Sequence, residues 1–358
     1  MTTRVLATGN SILTRRLSPT DRAEFTAVID FVRGADVSFT NLEAVFPGAD
    51  RRPATTFHGT HLGVDPALLD EFKGMGFDIY GMANNHATDY GPDGLSASIH
   101  ELARREMVFA GVGNTLRQAL QPAYFSTSNG RVALISAGSS NARLSMAADP
   151  GAGDAGRPGI APLRTQKTHY LEFEKFAIVR EALAEAGVDV NASGTTAPGI
   201  SLPYPDMNVY DRPPFDGFAV EGVHFAADKE SSVHTAVLDR DVAALVESVQ
   251  EARRQADLVF VALHCHEGTS GRWNSDTPAE FLRPLAHTLI DSGANAILGS
   301  GPPVLRGVEL YRNRPICYSL GNFIFTLETV ESFPLEVYEQ QQMPPKSSPA
   351  DLYDRLTG

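Results

Sequence analysis

The sequence predicts an α/β protein built around a largely buried sheet. Apolar runs of strand length alternate with segments of helical period along the chain, which is typical of layered α/β folds. Hydrophobic residues make up 42% of the 358 positions and charged residues 20%, which excludes extensive disorder. A chain of this length can bury a deep core without a disulfide or a structural metal ion. We therefore expect a soluble, globular protein.

The first strand and the first helix are predicted near the N-terminus. Arg4–Ala7 is an apolar run of strand length, and residues 18–21 (SPTD) are typical of a helix start. The apolar positions that then repeat with helical period are Phe25, Val28, Ile29 and Val32. Gly34 follows them and is expected to end the helix.

The same alternation continues to residue 298. The later predicted strands are Ala35–Phe39, Phe77–Ala83, Val132–Ala137, Leu258–Leu263 and Ala296–Leu298. The later predicted helices are Pro66–Lys73, Pro92–Arg105, Asp241–Gln255 and Pro278–Asp291. We expect one α/β domain over residues 1–333.

Three stretches depart from this pattern. Asp149–Pro162 is rich in glycine and proline and is predicted as a surface connection. Residues 187–225 have no period and are predicted as a long loop insertion; within it, Ile200–Gly217 is expected to cover a bound substrate, with Tyr204 in contact with it. Residues 334–358 are polar and are predicted as a C-terminal tail.

Charge and cysteine usage exclude several classes of partner. Lysine and arginine number 30 against 43 aspartates and glutamates, a net charge of −13 that would repel nucleic acid and anionic membrane surfaces. The chain has only two cysteines, Cys265 and Cys317, and their spacing is not that of a metal knuckle. So few cysteines are typical of a protein from a reducing compartment. No leader-like segment or membrane-length apolar run is found, so a cytoplasmic location is expected.

Polar side chains collect where the predicted strands end. They are Asn10, Asn41, Glu43, Asn85, His86, His264, His266 and Glu267. The carboxyl ends of strands in open α/β sheets are where ligands bind. Oxygen and imidazole donors without thiolates suit a hard divalent cation such as Ca²⁺, Mn²⁺ or Mg²⁺.

The same residues offer acid and base groups. Asp89 follows His86 by three residues and is expected to hold its ring. His264 and His266 fall on one face of an extended segment, where Glu267 or another acid could form a second pair. Cys265 between them is predicted as small filler, and His287 as an ordinary histidine of a helix.

Several motifs resemble one known family. They are MANNHATDYGPDGL, TNLEAVFP, VALHCHEG, SGANAILGSGPPVLRGVELY and RPICYSLGNFIF. Together they resemble the CapA-type poly-γ-glutamate capsule-synthesis family of the calcineurin-like metallophosphoesterase superfamily, over about Val5–Phe325. The resemblance implies a four-layer α/β/β/α fold with metal at the strand ends.

The chain departs from that pattern at two points. Gly9 is followed by Asn10 where the superfamily usually has Gly-Asp, and residues 299–303 (GSGPP) replace a GHxPH segment, so Ser300 stands where a histidine is usual. These changes weaken a two-metal hydrolytic centre. We expect one loosely held cation with Asn10, Glu43, Asn85 and His264 as its ligands.

Three function classes are compatible with these residues, and we expect the first of them because the loss of the GHxPH histidines argues against hydrolysis. The first is a peptide epimerase, because two acid/base groups beside a cation suit inversion at Cα; lasso-peptide epimerases of this superfamily run such a reaction. Its catalytic residues would be His86, Asp89, His264 and His266, and its substrate contacts Asn41, Glu267, Ser300 and Tyr204. The others are a hydrolase of phosphoesters or amides and a binding protein. The expected partner is a peptide or small acidic substrate.

Overall fold

The computed structural model describes residues 3–17, 22–48, 52–54, 60–141, 143–188, 190, 217–220, 223–327, 330, 332–344 and 346–357. The strands are β1 (Val5–Leu13), β2 (Val37–Leu42), β3 (Ile79–Gly81), β4 (Val108–Ala110), β5 (Val112–Gly113), β6 (Ala123–Thr127), β7 (Gly130–Gly138), β8 (Gly159–Ile160), β9 (Thr165–Glu172), β10 (Gly217–Val220), β11 (Val223–Asp228), β12 (Ser232–Val237), β13 (Leu258–His264), β14 (Ala296–Ser300), β15 (Val308–Tyr311), β16 (Arg314–Cys317) and β17 (Asn322–Thr326). The helices are α1 (Ala23–Arg33), α2 (Leu69–Met75), α3 (Gly91–Arg104), α4 (Leu116–Ala119), α5 (Phe173–Glu185), α6 (Asp239–Gln255), α7 (Leu282–Asp291), α8 (Leu335–Gln340) and α9 (Pro349–Thr357).

Two large sheets pack face to face. One has the order β17-β1-β2-β3-β4 and the other the order β15-β16-β14-β13-β7-β6. Alternate side chains of both sheets meet between them, among them Phe39 and Ile79 from the first and Leu134 and Phe260 from the second. Each buried side chain of this size stabilises the fold by roughly 1.5–3 kcal/mol, so this interface fixes how the two sheets stack.

Helices cover the outer face of each sheet. Leu69, Phe72 and Leu95 of α2 and α3 pack on the outer face of the first sheet. Leu245 of α6 and Leu285 of α7 pack on the outer face of the second. The order is therefore helix, sheet, sheet, helix, and the predicted four-layer α/β/β/α class is confirmed.

Two strands run further than their predicted ends. β1 continues past Ala7 to Leu13 and β2 past Phe39 to Leu42, so Asn10 and Asn41 lie inside strands. Their polar side chains are tolerated there because they bond to one another, as described below. The extension also needs Gly9, because a Cβ at that position would lie 1.9 Å from the carbonyl oxygen of Gly321.

The regions predicted as loops are partly ordered. β10 and β11 occupy the end of the stretch 187–225, so the prediction of an aperiodic insertion is wrong there; they form a sheet of order β10-β11-β9-β12 with α5 against it. Residues 191–216, which hold Tyr204 and most of the expected cover, lie outside the described residues. In Asp149–Pro162 the surface prediction is wrong for the final residues, since buried β8 pairs with β5.

The C-terminal segment contains two helices, α8 and α9, rather than only irregular chain. Val337 and Leu352 pack there against Ile12 and Leu62. This small core joins the end of the chain to β1 and to the segment that precedes α2. The division into a domain and a tail at residue 333 stays a prediction. None of the described helices is both long and apolar enough to cross a membrane.

Candidate active site

The polar residues predicted at the strand ends meet in one buried cluster. Parallel pairing brings them together: Asn10 is aligned with Asn41 across β1 and β2, and His264 with Ser300 across β13 and β14. The members that are less than one-tenth exposed are Asn10, Asn41, Glu43, His86, His264, His266 and Ser300. Both sheets therefore contribute to the cluster.

A short turn after β3 presents His86. Asn84 anchors the turn, because its Nδ2 donates to the Leu42 carbonyl at 2.8 Å and its Oδ1 accepts from the His86 N–H at 3.2 Å. The Nδ1 of His86 lies 2.7 Å from Oδ2 of Asp89, which also accepts from the Leu62 N–H at 2.8 Å. The predicted His86–Asp89 pair is confirmed. We call these two residues the dyad.

The dyad leaves one nitrogen of His86 free to exchange a proton. Nε2 lies 3.9 Å from Oε1 of Glu43. Burial lowers the pKa of His86, but the charge and hydrogen bond of Asp89, together with the charge of Glu43, outweigh it and raise that pKa overall. Burial raises the pKa of Glu43 to about 7, against the opposing effect of His86. Glu43 can therefore change protonation state near neutral pH, and His86 keeps its proton to a higher pH than an ordinary histidine.

His264 and His266 form an imidazole pair on the other side of Glu43. Their Nε2 atoms are 3.2 Å apart, which confirms that both rings lie on one face. The Nδ1 of His264 lies 3.0 Å from the Ser300 hydroxyl, and the Nδ1 of His266 lies 2.7 Å from Oδ1 of Asn274. Burial and neighbouring histidines lower the pKa of His264 well below its usual value, and burial lowers that of His266 to about 4. Both imidazoles are neutral at pH 7.

Glu267 does not supply the carboxylate of a second pair. Its Oε2 accepts from the hydroxyls of Ser139 and Ser140, at 2.7 and 2.6 Å. Ser140 also accepts from the His266 N–H at 2.7 Å. Glu267 therefore fixes the turn that carries His266, and the acid that the described residues group with the imidazole pair is Glu43.

Three buried side chains could hold a cation. Among the described residues, donor atoms of Glu43, His264 and His266 all lie within 4.8 Å of one another. The donors fit a divalent ion: the imidazoles are neutral, and a cation would stabilise the ionised form of a carboxylate that burial otherwise disfavours. Asn85 lies beside them, with its Oδ1 2.8 Å from Nε2 of His264. His266 was predicted only as a catalytic residue.

Hydrogen bonds to three neighbouring residues hold the side chain of Asn10 in the cluster. Its Nδ2 donates to the Gly301 carbonyl at 2.9 Å and to Oδ1 of Asn322 at 3.0 Å, and its Oδ1 accepts from Asn41 at 3.1 Å. The Nδ2 of Asn41 also lies 3.3 Å from Nδ1 of His264. A ligand role for Asn10 stays a prediction, because its amide is engaged by protein atoms.

Two other predictions concern residues that were expected to have no catalytic or metal-binding role. Cys265 is 1% exposed, and burial raises its thiol pKa to about 12, so it is protonated filler as predicted. His287 lies on α7, where it pairs with Glu309 at 2.9 Å and stacks on Tyr311. Asn274, the ring partner of His266, is not among the predicted site residues; its only signal in the sequence is an amide eight residues after a candidate histidine.

Comparison with known proteins places the chain in a family context. Residues 4–327 match the model of the family described as bacterial capsule synthesis protein PGA_cap. The chain is 32% identical over 327 residues to the uncharacterized protein y4sH of Sinorhizobium fredii, covering 90% of this chain and 66% of that protein. It is 24% identical to "PGA biosynthesis protein CapA" of Bacillus subtilis, over 82% of this chain and 58% of that one. For "Capsule biosynthesis protein CapA" of Bacillus anthracis the identity is 22%, over 74% and 44%. The chain thus spans two thirds or less of the length of these relatives.

Proposed function

The chain belongs to the bacterial capsule synthesis protein family PGA_cap, and from that premise we propose that it is a metal-dependent hydrolase in which His86 transfers the proton. The family suggests a metal-dependent, hydrolase-like enzyme. One observation carries the proposal: a buried imidazole with a raised pKa lies 3.9 Å from Glu43, which belongs to a group of side chains suited to a divalent cation.

Glu43, His264 and His266 would hold the cation, which supplies Lewis acidity at a carbonyl or phosphoryl oxygen of the substrate. Water adds to the carbonyl or phosphoryl centre, and the bond to the leaving group breaks as the bond to the water oxygen forms. His86 gives a proton from Nε2 to the departing atom, because a poor leaving group departs only when protonated, and the proton lost by the water returns to Nε2. Asp89 keeps the opposite nitrogen protonated and stabilises the imidazolium before the transfer. Burial of these groups excludes bulk water and strengthens each electrostatic interaction.

A cleavage assay in ¹⁸O-labelled water tests this function. The protein, loaded with Mn²⁺, is incubated with a dialkyl phosphodiester and with unactivated peptides, which represent phosphoester and amide substrates with poor leaving groups. We expect cleavage with ¹⁸O in one product, and loss of cleavage in His86→Ala. The matched control is His100→Ala, since that side chain is 75% exposed on α3. Cleavage that persists in His86→Ala would refute the assignment.

A peptide epimerase is the second candidate, and the state of Asn10 favours it. The Asn10 amide is engaged by protein atoms and the Ser300 hydroxyl by His264, so the described residues offer one group for a cation rather than two. One cation that polarises a carbonyl, with His86 as the adjacent base, suits removal of a Cα proton. In D₂O an epimerase would add one deuterium to a peptide without cleaving it, whereas a hydrolase would give two products. We further propose that the substrate is a peptide or a small acidic molecule and that the protein acts in the cytoplasm.

A further inference from the structure

The turn that follows β13 holds the one tryptophan of the chain beside the candidate active site. The indole of Trp273 stacks on the imidazole of His266, with ring centroids 4.6 Å apart and planes only 2° from parallel. Trp273 is nevertheless 59% exposed. One face of the indole therefore covers a candidate metal ligand, and the rest of the ring is presented to solvent.

This turn is held firmly by hydrogen bonds. Asn274 has φ +55°, in the left-handed region that asparagine adopts more readily than most residues other than glycine. Its side chain is fixed by His266, as described above. Buried Arg306 donates from Nε to the Ser275 carbonyl at 2.8 Å and from a terminal nitrogen to the His266 carbonyl at 3.2 Å. The position of the indole is therefore set by hydrogen bonds to the two residues that follow it in the chain.

Exposed apolar side chains lie on the loop that Arg306 ties to this turn. Leu305 is 73% exposed and Val304 40% exposed. The loop begins at Gly301, whose N–H donates to Oδ1 of Asn10 at 3.3 Å, so it rises from the buried cluster itself. The loop that carries these aliphatic side chains is therefore hydrogen-bonded both to the cluster, through Gly301, and to the turn that carries the indole, through Arg306.

We propose that Trp273 determines substrate specificity: its exposed indole stacks on a planar apolar side chain of the substrate, next to the reacting bond, with Leu305 and Val304 as apolar neighbours. The proposal rests on the proposed function for the position of that bond. Aromatic rings gain from stacking beyond their buried area. A sugar ring can also stack on an indole, so preference for a sugar is one of the outcomes of the test below.

Because the chain has one tryptophan, its fluorescence reports binding at this position directly. The full chain is titrated with N-acetyl-phenylalanine amide, N-acetyl-leucine amide, N-acetyl-glycine amide and methyl glucoside. We expect saturable quenching by the phenylalanine compound at about tenfold lower concentration than by the glycine compound, with leucine between them. Leu305→Ser should weaken this binding severalfold. Leu310→Ser, 75% exposed on β15, is the matched control and should leave it unchanged.

The result that overturns the proposal is equal binding of the phenylalanine and glycine compounds, a preference for methyl glucoside, or an equal effect of the two leucine variants. These titrations need no turnover, so failure of the proposed hydrolysis does not affect them. With an authenticated substrate that carries phenylalanine, Trp273→Ala should raise KM about tenfold and change kcat less than twofold, and Trp273→Phe should restore KM. A fall in kcat with unchanged KM would show that the indole only shields His266.

Discussion

The dyad and the imidazole pair place the same side chain in two different chemical states. The ring of His86 is bonded to a carboxylate, and its pKa is raised. The ring of His264 lies against a hydroxyl and an amide, and its pKa is lowered well below the usual value. Both imidazoles are buried. The charge of the nearest partner, rather than the degree of burial, therefore decides which histidine carries a proton and which could bind a cation.

Glu43 lies between the dyad and the imidazole pair, and its protonation state depends on both. Burial alone disfavours its ionised form, and either a protonated His86 or a cation beside the imidazole pair would stabilise that form. Glu43 thus couples the state of the proton to the state of the cation site. Substitutions in the dyad and in the imidazole pair should therefore have different effects on proton transfer and on cation binding.

Removal of the cation should have the largest effect. We expect a chelator to abolish turnover, and Mn²⁺ to restore it, because the chemistry assigned to the imidazole pair requires the ion. His86→Ala should not be rescued by added metal, since it lacks the proton donor. Turnover is measured after dialysis against the chelator and again after metal addition. Full activity in the chelator would show that turnover does not require a metal ion.

Loss of the proton-transferring ring comes next. His86→Ala should lower kcat by about 10²–10⁴-fold, the usual contribution of a general acid or base. His100→Ala provides the control for replacement of an exposed histidine. The expected pattern in steady-state kinetics is a fall in kcat with little change in KM; an unchanged kcat would mean that another group transfers the proton.

A smaller effect is expected for the partner carboxylate. Asp89→Asn keeps an oxygen for the Leu62 N–H but removes the charge that raises the pKa of His86, so we expect a loss of about 10–100-fold in kcat. Without that charge His86 loses its proton at lower pH. The alkaline limb of the pH–rate profile should therefore move to lower pH in the variant. A limb that stays in place or moves up would show that Asp89 does not control the titration.

The smallest effect is expected when a negative charge is placed at position 10. In Asn10→Asp a carboxylate would face the Gly301 carbonyl and Oδ1 of Asn322, which accept hydrogen bonds from the present amide. We expect a lower Tm in chelator and a larger rise of Tm with Mn²⁺ than in the unaltered protein. Asn114→Asp, at an exposed position, is the control. An equal response of both variants to Mn²⁺ would separate Asn10 from the cation site.

Much of the layered fold was predictable because apolar periodicity marks buried faces. The helix predicted over Asp241–Gln255 is found at Asp239–Gln255, and the strand predicted over Leu258–Leu263 ends one residue later. β1 was predicted too short, because Gly9 and Asn10 are residues typical of turns. Their place inside a strand depends on Gly321 and Asn322, more than 300 residues away along the chain.

The site was predictable where its contacts are local. Asp89 lies three residues from His86, so the sequence spacing indicated their hydrogen bond. The contact of Glu43 with His86 and the grouping of Glu43 with His264 depend on how the two sheets stack, which no local spacing encodes. The same applies to Glu267, which is adjacent to His266 in sequence but bonds to Ser139 and Ser140 of another strand end.

Measurements of Mn²⁺ binding and turnover in two single variants test directly whether the dyad transfers the proton and the imidazole pair binds the cation. We predict that His264→Ala loses Mn²⁺ binding in a calorimetric titration, and turnover with it. His86→Ala should bind Mn²⁺ as the unaltered protein does, yet be inactive. Loss of Mn²⁺ binding in His86→Ala, or its retention with full activity in His264→Ala, would contradict the assignment of proton transfer to the dyad and cation binding to the imidazole pair.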